Sequence, residues 1–234
     1  PNANGGDNER SPNDQVTSFD SNGFSLGAGA NDSVNTNSNT YVSWNWAIST
    51  SFSNDASSTS VGSIDSSGKI NTTAGQSIIS WTGSGSGATI AHGLGAQPQV
   101  VFVKNRDDTA SWSVYTVVGG GGKGLFLNEN NGFDSDSTYF NNGTASTTTF
   151  PVGTANIANG SSDNMIAYCF ANVKGYSRIS SFVGNADTDG PWVFCGFRPS
   201  FVLIKNTAAS EHWRIYDNKR DTYNHMYHVI YANE

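Results

Sequence analysis

Charge is scarce in this chain. Only 13% of its 234 residues are Asp, Glu, Lys or Arg, and 19 acids against 12 Lys and Arg leave a formal net charge of −7. That balance argues against nucleic acid as the main partner, because affinity there comes from neutralised phosphates. It argues equally against binding to anionic membrane surfaces. No apolar run approaches the roughly 18–20 residues of a membrane span, so membrane insertion is not expected. No stretch has the build of a secretory signal. The chain begins with Pro1 and not Met, as expected of a processed or excised piece of something longer. Two cysteines, Cys169 and Cys195, are too few for a disulfide framework. Both lie in strand-like sequence, where free Cys is commonly buried, so two buried free thiols are expected. Assembly in a reducing cytosol is compatible with that. No segment reads as a helix of ten or more residues.

Gly, Ser, Thr and Asn are abundant. Low charge alone could mean disorder, but disordered chains lack the aromatics that build a core. This chain has 6 Trp, 9 Tyr and 13 Phe, clustered in strand-like runs. Its length suits one large β domain or two small ones, able to bury about 70% of the unfolded surface.

An internal repeat organises the sequence. Residues 78–115 align without a gap on residues 179–216. Gly83 matches Gly184, Gly95 matches Gly196, and Pro98 matches Pro199. Lys104 and Asn105 match Lys205 and Asn206, Trp112 matches Trp213, and Tyr115 matches Tyr216. A shorter unit precedes each copy. Residues 24–47 run FSLGAGA, a polar stretch, then TYVSWNWA, and residues 150–171 run FPVGTAN, a polar stretch, then NMIAYCFA. Val42, Trp44 and Trp46 fall opposite Ile166, Tyr168 and Phe170. The order is therefore short, long, short, long.

The periodicity is that of strands. Val42, Trp44 and Trp46 alternate with Tyr41, Ser43 and Asn45, which places the large apolar side chains on one face. Trp44, Trp46, Tyr168 and Phe170 are accordingly expected to be mostly buried. Residues 100–103 and 201–204 are apolar on both faces and read as central strands. The polar tract of residues 50–73 reads as a surface excursion. Gly119 to Gly122 reads as a flexible turn between the halves. Residues 1–15 form an extended lead-in, and residues 16–234 form the duplicated domain, with one half at 16–118 and the other at 119–234. The expected fold is all-β, a jelly-roll-like sandwich of two pseudo-equivalent halves sharing one core. The runner-up is two small similar domains in tandem.

Several stretches carry a family resemblance. They are SNGFSLG at 21–27, NTYVSWNWA at 39–47, and the run from SIISWTG through HGLGAQPQVVFVKNR at 77–106. IAYCFANVKGYS at 166–177, GPWVFCGFRPSFVLIKN at 190–206 and WRIYDNKRDTYN at 213–224 continue it. Together they resemble an internally repeated β domain of structural and tail-fibre-associated proteins of tailed phages, especially phages of aquatic bacteria. The resemblance implies an exposed virion appendage, assembled in the host cytoplasm beside other virion proteins and involved in host attachment. It carries no catalytic residues to this chain. Members of that group often continue with another short unit after the WRIYDNKR region, so a third short unit is an expected way of completing the fold.

Candidate sites are few. Asp187 and Asp189, two apart before Gly190, resemble part of a calcium loop, but an acidic turn explains them as well. His225 and His228 could hold zinc, yet no Cys or third His lies nearby in sequence. His92 aligns with Val193, which favours a packed histidine. Lys104 and Lys205 end equivalent strands, which favours architecture over chemistry. The acid pairs Asp107/Asp108, Asp134/Asp136 and Asp217/Asp221, with Glu129 and Glu211, lie in polar, turn-like sequence and not where burial would tune an acid catalyst. No nucleophile elbow, phosphate loop or zinc-protease motif is present. Aromatic rings could stack on sugars. The unrepeated ones, Trp192, Tyr139, Tyr223 and Tyr227, are the candidates for ligand binding.

The expectation is thus a non-enzymatic structural module without a resident cofactor. Host-glycan binding is the alternative, and a polysaccharide depolymerase is the third reading. Residues 223–231 (YNHMYHVIY) are aromatic and almost uncharged at an expected sheet edge. They predict self-association into a homo-oligomer, with a trimer or filament favoured over a dimer.

Overall fold

The computed structural model describes residues 15–27, 34–221, 223 and 225–234; most of the expected lead-in lies outside them. The chain divides into two compact units at the Ala47/Ile48 junction. The small unit holds an antiparallel hairpin of β1 (Val16–Phe19) and β2 (Phe24–Leu26). Asp20 at its turn accepts from the hydroxyls of Ser25 at 2.7 Å and Ser18 at 2.9 Å. Those bonds hold its carboxyl below the ordinary value. Within the small unit, residues 41–47 form no strand. Val42, Trp44 and Trp46 are 46%, 39% and 50% exposed.

The main unit is built from strands and three single-turn helices. In chain order these are β3 (Thr50–Asn54), α1 (Ala56–Thr59), β4 (Ser66–Asn71), β5 (Gln76–Thr82), β6 (Ala88–Ala91), β7 (Pro98–Asn105), β8 (Ser113–Thr116) and β9 (Leu125–Phe126). Then come α2 (Ser137–Phe140), β10 (Thr149–Val152), α3 (Asn156–Asn159), β11 (Asn164–Ala171), β12 (Phe201–Ile204), β13 (Arg214–Asp217) and β14 (Ile230–Tyr231). The fold is all-β and of sandwich type. Seven strands form one antiparallel sheet in the order β3-β4-β5-β11-β7-β8-β9. A β6–β10 pair packs over its inner face. The strands β12-β13-β14 form a separate sheet.

The centre of the main sheet is β11, inserted between β5 and β7. The sequence boundary at residues 118/119 therefore does not separate the strands in space; the halves interleave. Along β11, Met165, Ala167, Cys169 and Ala171 are buried against Ile79, Val101, Val103 and Phe150. Small and sulfur-bearing side chains suffice there because the β6–β10 pair brings the bulk. Phe150 meets Trp81 edge-on at 5.7 Å, and Tyr115 meets Phe140 at 5.5 Å, both in favoured T-shaped geometry. Ile166, Tyr168 and Phe170 point to the second face and are half-buried, not enclosed in this core. Phe170 packs on Phe102 at 5.7 Å and Tyr168 on Trp112 at 5.9 Å.

The tract of residues 50–73 is not a surface excursion. It supplies the edge strand β3 and its neighbour β4, with Phe52 and Ile70 packed on the core. One face of this end of the sheet is exposed, and β3 has a free rim as well, so Ser, Thr and Lys are tolerated there; Lys69 on β4 reaches Ser51 on β3 at 2.9 Å. The four-glycine run joins β8 to β9 within one sheet. Cys169 is buried, whereas Cys195 is half-buried and lies outside any strand.

Duplication is visible in the hydrogen-bond register. β7 and β8 pair Val100 with Thr116 and Phe102 with Val114. β12 and β13 pair Phe201 with Asp217 and Leu203 with Ile215. These are the same positions of the repeat. The amide oxygen of Asn105 accepts from the backbone N–H of Asp107 and Asp108 at 3.0 and 3.1 Å. That of Asn206 accepts from Ala208 and Ala209 at 2.9 and 3.2 Å. Lys104 donates to the Ala110 carbonyl at 2.8 Å and Lys205 to the equivalent Glu211 carbonyl at 2.7 Å. Gly95 and Gly196 both hold positive φ, +68° and +81°, a conformation that favours glycine. The likeness stops upstream: β5 and β6 have no strand counterparts at residues 179–192.

Candidate functional site

The most articulated polar feature of the main unit lies where the two repeats meet. Trp213 is buried and donates its indole N–H to the Phe126 carbonyl at 2.8 Å. The Phe133 N–H reaches the Thr207 carbonyl at 2.8 Å, and Lys205 reaches the Asn130 carbonyl at 2.9 Å. Beside this joint is a cavity of about 390 Å³, lined by Asn128, Glu129, His212, Asn233 and Glu234 among others.

Its polar groups are themselves a repeat. Asn128 accepts from the Trp112 N–H at 2.8 Å, and Asn233 accepts from the Trp213 N–H at 2.9 Å. Glu129 accepts from the Ser111 hydroxyl and from the Asn131 amide. Glu234 lies 3.2 Å from His212 Nε2, whose Nδ1 faces the Asn233 amide nitrogen at 2.8 Å. The network thus assigns the ring proton to Nε2, with Nδ1 accepting. The sequence signal for this feature is the echo of Leu125-Phe-Leu-Asn-Glu129 in Ile230-Tyr-Ala-Asn-Glu234. The gapless repeat misses it because four extra residues precede the second copy.

Chemically, the cavity offers carboxylate and amide groups suited to hydroxyl-bearing ligands. Ser111 donates to the Glu129 carboxylate and accepts from the Asn128 amide.

The aromatic candidates do not assemble. Tyr139 lies on α2, packs on Phe126 at 5.5 Å and donates to Asp134 at 2.7 Å. Burial and that carboxylate push its phenol well above the ordinary value. Trp192 is 84% exposed and packs on Phe194. Tyr223 and Tyr227 are exposed before β14, the latter near His225.

Asp187 is engaged by its own turn. The backbone N–H of Asp189 and the Thr188 hydroxyl donate to it and hold its carboxyl below the ordinary value. Among the described residues, no group of three or more His, Cys, Asp or Glu is placed to hold a metal ion. His228 pairs with Asp221 at 2.6 Å. His92 is fully buried, accepting the Leu94 N–H at Nδ1 and facing the Ser146 carbonyl with Nε2 at 3.3 Å. Burial lowers its pKa to about 4. Among the described residues, no helix is long and apolar enough to cross a membrane.

Fold and site together define a duplicated all-β domain whose repeated polar residues are engaged in its own loops. The chain belongs to the family DUF7483, a domain of unknown function, whose model matches residues 1–234. No curated protein and no solved structure matches it.

Proposed function

We propose that the chain is a non-enzymatic structural module of a phage virion appendage such as a tail fibre, a rigid β spacer with polar loops exposed on the particle. The observation that carries the structural part is the duplicated use of polar side chains as loop clamps. Lys104 and Lys205, Asn105 and Asn206, and Asn128 and Asn233 each hold equivalent backbone groups. A residue kept in one role in both halves serves the scaffold. The virion placement rests on the sequence resemblance. Immunogold labelling of purified particles with antibody to this chain tests it: label on an appendage is expected, and unlabelled particles overturn it.

The module associates with itself through residues 223–231. There Tyr223 and Tyr227 are 84% and 81% exposed, beside the last strand of a three-stranded sheet. Light scattering at micromolar concentration should show a trimer or larger species.

The same exposed tyrosines and the polar cavity favour a second reading, a host-glycan adhesion module. A glycan array separates the two. Release of reducing ends from host polysaccharide would overturn both in favour of a depolymerase.

A further inference from the structure

Four Asn-Gly pairs lie among the described residues, at 22–23, 131–132, 142–143 and 159–160. Asparagine is a chemically labile residue, and most so before glycine. The next backbone nitrogen can reach the side-chain carbonyl carbon, and glycine has no side chain to hinder the approach. Whether a given pair reacts depends on how the fold already engages that nitrogen and that amide.

The pairs of the main unit differ in this respect. Asn159 is fully buried, and its amide oxygen accepts from the Trp81 indole at 3.1 Å and the Ser84 N–H at 3.2 Å. Its amide nitrogen donates to the Ser84 hydroxyl at 3.0 Å and the Ser86 carbonyl at 2.7 Å, so the side chain is held from both sides. Asn142 is exposed, but the Gly143 N–H donates to the Phe140 carbonyl at 2.9 Å, which occupies the attacking nitrogen. Asn131 is exposed as well, and its amide donates to Glu129 at 3.2 Å, the long end of the ordinary range. The Gly132 N–H makes no hydrogen bond among the described residues.

Asn131 also sits on the joint between the repeats. Just before it, the Asn130 carbonyl accepts from Lys205 at 2.9 Å. Just after the pair, the Phe133 N–H donates to the Thr207 carbonyl at 2.8 Å. Between these two fixed points Gly132 runs against the second repeat. A Cβ there would stand 2.9 Å from the Thr207 oxygen and 3.0 Å from the Ala209 nitrogen.

We propose that Asn131 is a self-modifying site whose conversion loosens the joint between the repeats. The Gly132 backbone nitrogen gives its proton to solvent and attacks Cγ of Asn131. As the new N–C bond forms, the side-chain nitrogen takes a proton from water and leaves as ammonia, which closes a five-membered imide. Water then opens the imide at one of its two carbonyls, giving aspartate or isoaspartate. The balance is a water consumed and an ammonia released. Either product places a carboxylate where the amide donated to Glu129, so attraction becomes repulsion between like charges. Isoaspartate also routes the main chain through Cβ and adds a carbon between the Asn130 carbonyl and the Phe133 N–H. Both ends are tied to the second repeat and the space beside Gly132 is filled, so the Phe133–Thr207 bond gives way. Asn22, exposed at the turn of the small unit, has the same chemistry open to it without that consequence, because a Cβ on Gly23 would meet nothing within 4 Å. The inference stands independently of the proposed place in a virion.

Peptide mapping by mass spectrometry tests it, on the full chain aged in mildly alkaline buffer made with heavy-oxygen water. Heavy oxygen should enter at residue 131 about tenfold faster than at residue 142, the factor set by breaking the Gly143 hydrogen bond. At residue 159 it should enter only in denaturant. Hydrogen exchange reads the consequence: in the aged chain the Phe133 amide should exchange about tenfold faster than in the fresh chain. Asn131→Gln keeps an amide but would have to close a larger ring, so the aged variant should retain its Phe133 protection. Equal conversion at 131 and 142, conversion at 131 with unchanged Phe133 exchange, or the same loss of protection in aged Asn131→Gln would each overturn the proposal.

Discussion

The indole N–H of Trp213 donates to the backbone carbonyl of Phe126 across 2.8 Å, which pins the second repeat to the last strand of the main sheet. Trp213 is only 5% exposed and packs with Val114 and Leu125. Trp213→Phe keeps most of the packing and loses one hydrogen bond, so it should cost about 1 kcal/mol. Trp213→Ala removes the packing as well and should cost about 3–5 kcal/mol. Urea unfolding curves give both numbers. Equal effects for the two variants would show that the bond, and not the packing, holds the joint.

The duplicated lysines should respond unequally. Lys104 is 5% exposed, and its ammonium donates to the carbonyls of Asp108 at 3.1 Å and Ala110 at 2.8 Å. Lys104→Met leaves buried carbonyls without that donor and should cost about 1–3 kcal/mol. Lys205 shares one of these bonds, to the Glu211 carbonyl, and otherwise donates to the Asn130 and Asn206 carbonyls, in a more open setting, where water can replace the donor. Lys205→Met should therefore cost less than Lys104→Met in the same unfolding assay.

Legibility in the sequence followed chemistry that does not depend on distant partners. The Lys-Asn strand ends were readable because Asn105 and Asn206, and Lys104 with Ala110 and Lys205 with Glu211, act within one β-hairpin; the two Trp were readable as a repeated pair, but their distant partners, Tyr168 for Trp112 and Phe126 for Trp213, were not. The phase of β11 was not. Ile166, Tyr168 and Phe170 outweigh Met165, Ala167, Cys169 and Ala171, yet the smaller set faces the core. What fills that core comes from β6 and β10, and no local pattern reveals it. The strands β3 and β4 were not readable because, at the exposed end of the sheet, they carry Ser, Thr and Lys, which also compose loops. The Asn-Glu clamps were written in the sequence but lie past a length change that breaks the gapless repeat.

Cys169 should be chemically silent in the folded chain. It is fully buried in the central strand, and burial pushes its thiol up to about 12. The reactive thiolate is then negligible near pH 8. Maleimide labelling followed by mass spectrometry of the peptide containing Cys169 should show modification only in denaturant. Rapid labelling of this residue in buffer would mean that the main sheet opens between β11 and its neighbours.

His92 should make stability depend on pH in a defined window. Its ring is fully buried and bonded as the neutral form, with Nδ1 accepting from Leu94 and Nε2 facing the Ser146 carbonyl. Desolvation lowers its pKa to about 4, from an ordinary 6.5. Between those values the unfolded chain binds a proton that the folded chain does not, so stability falls as pH falls through the window. Above pH 6.5 the contribution is fully present; below about 4 the loss is complete. A shift of this size corresponds to about 3 kcal/mol. His92→Val, which copies Val193 of the other repeat, leaves the Leu94 N–H and Ser146 carbonyl without their partner and should lower stability at pH 7. It should also remove about one proton from the difference in uptake between pH 6.5 and 4. Denaturant midpoints for both chains across that range give the two slopes. Parallel slopes would show that His92 titrates normally and that its site admits water.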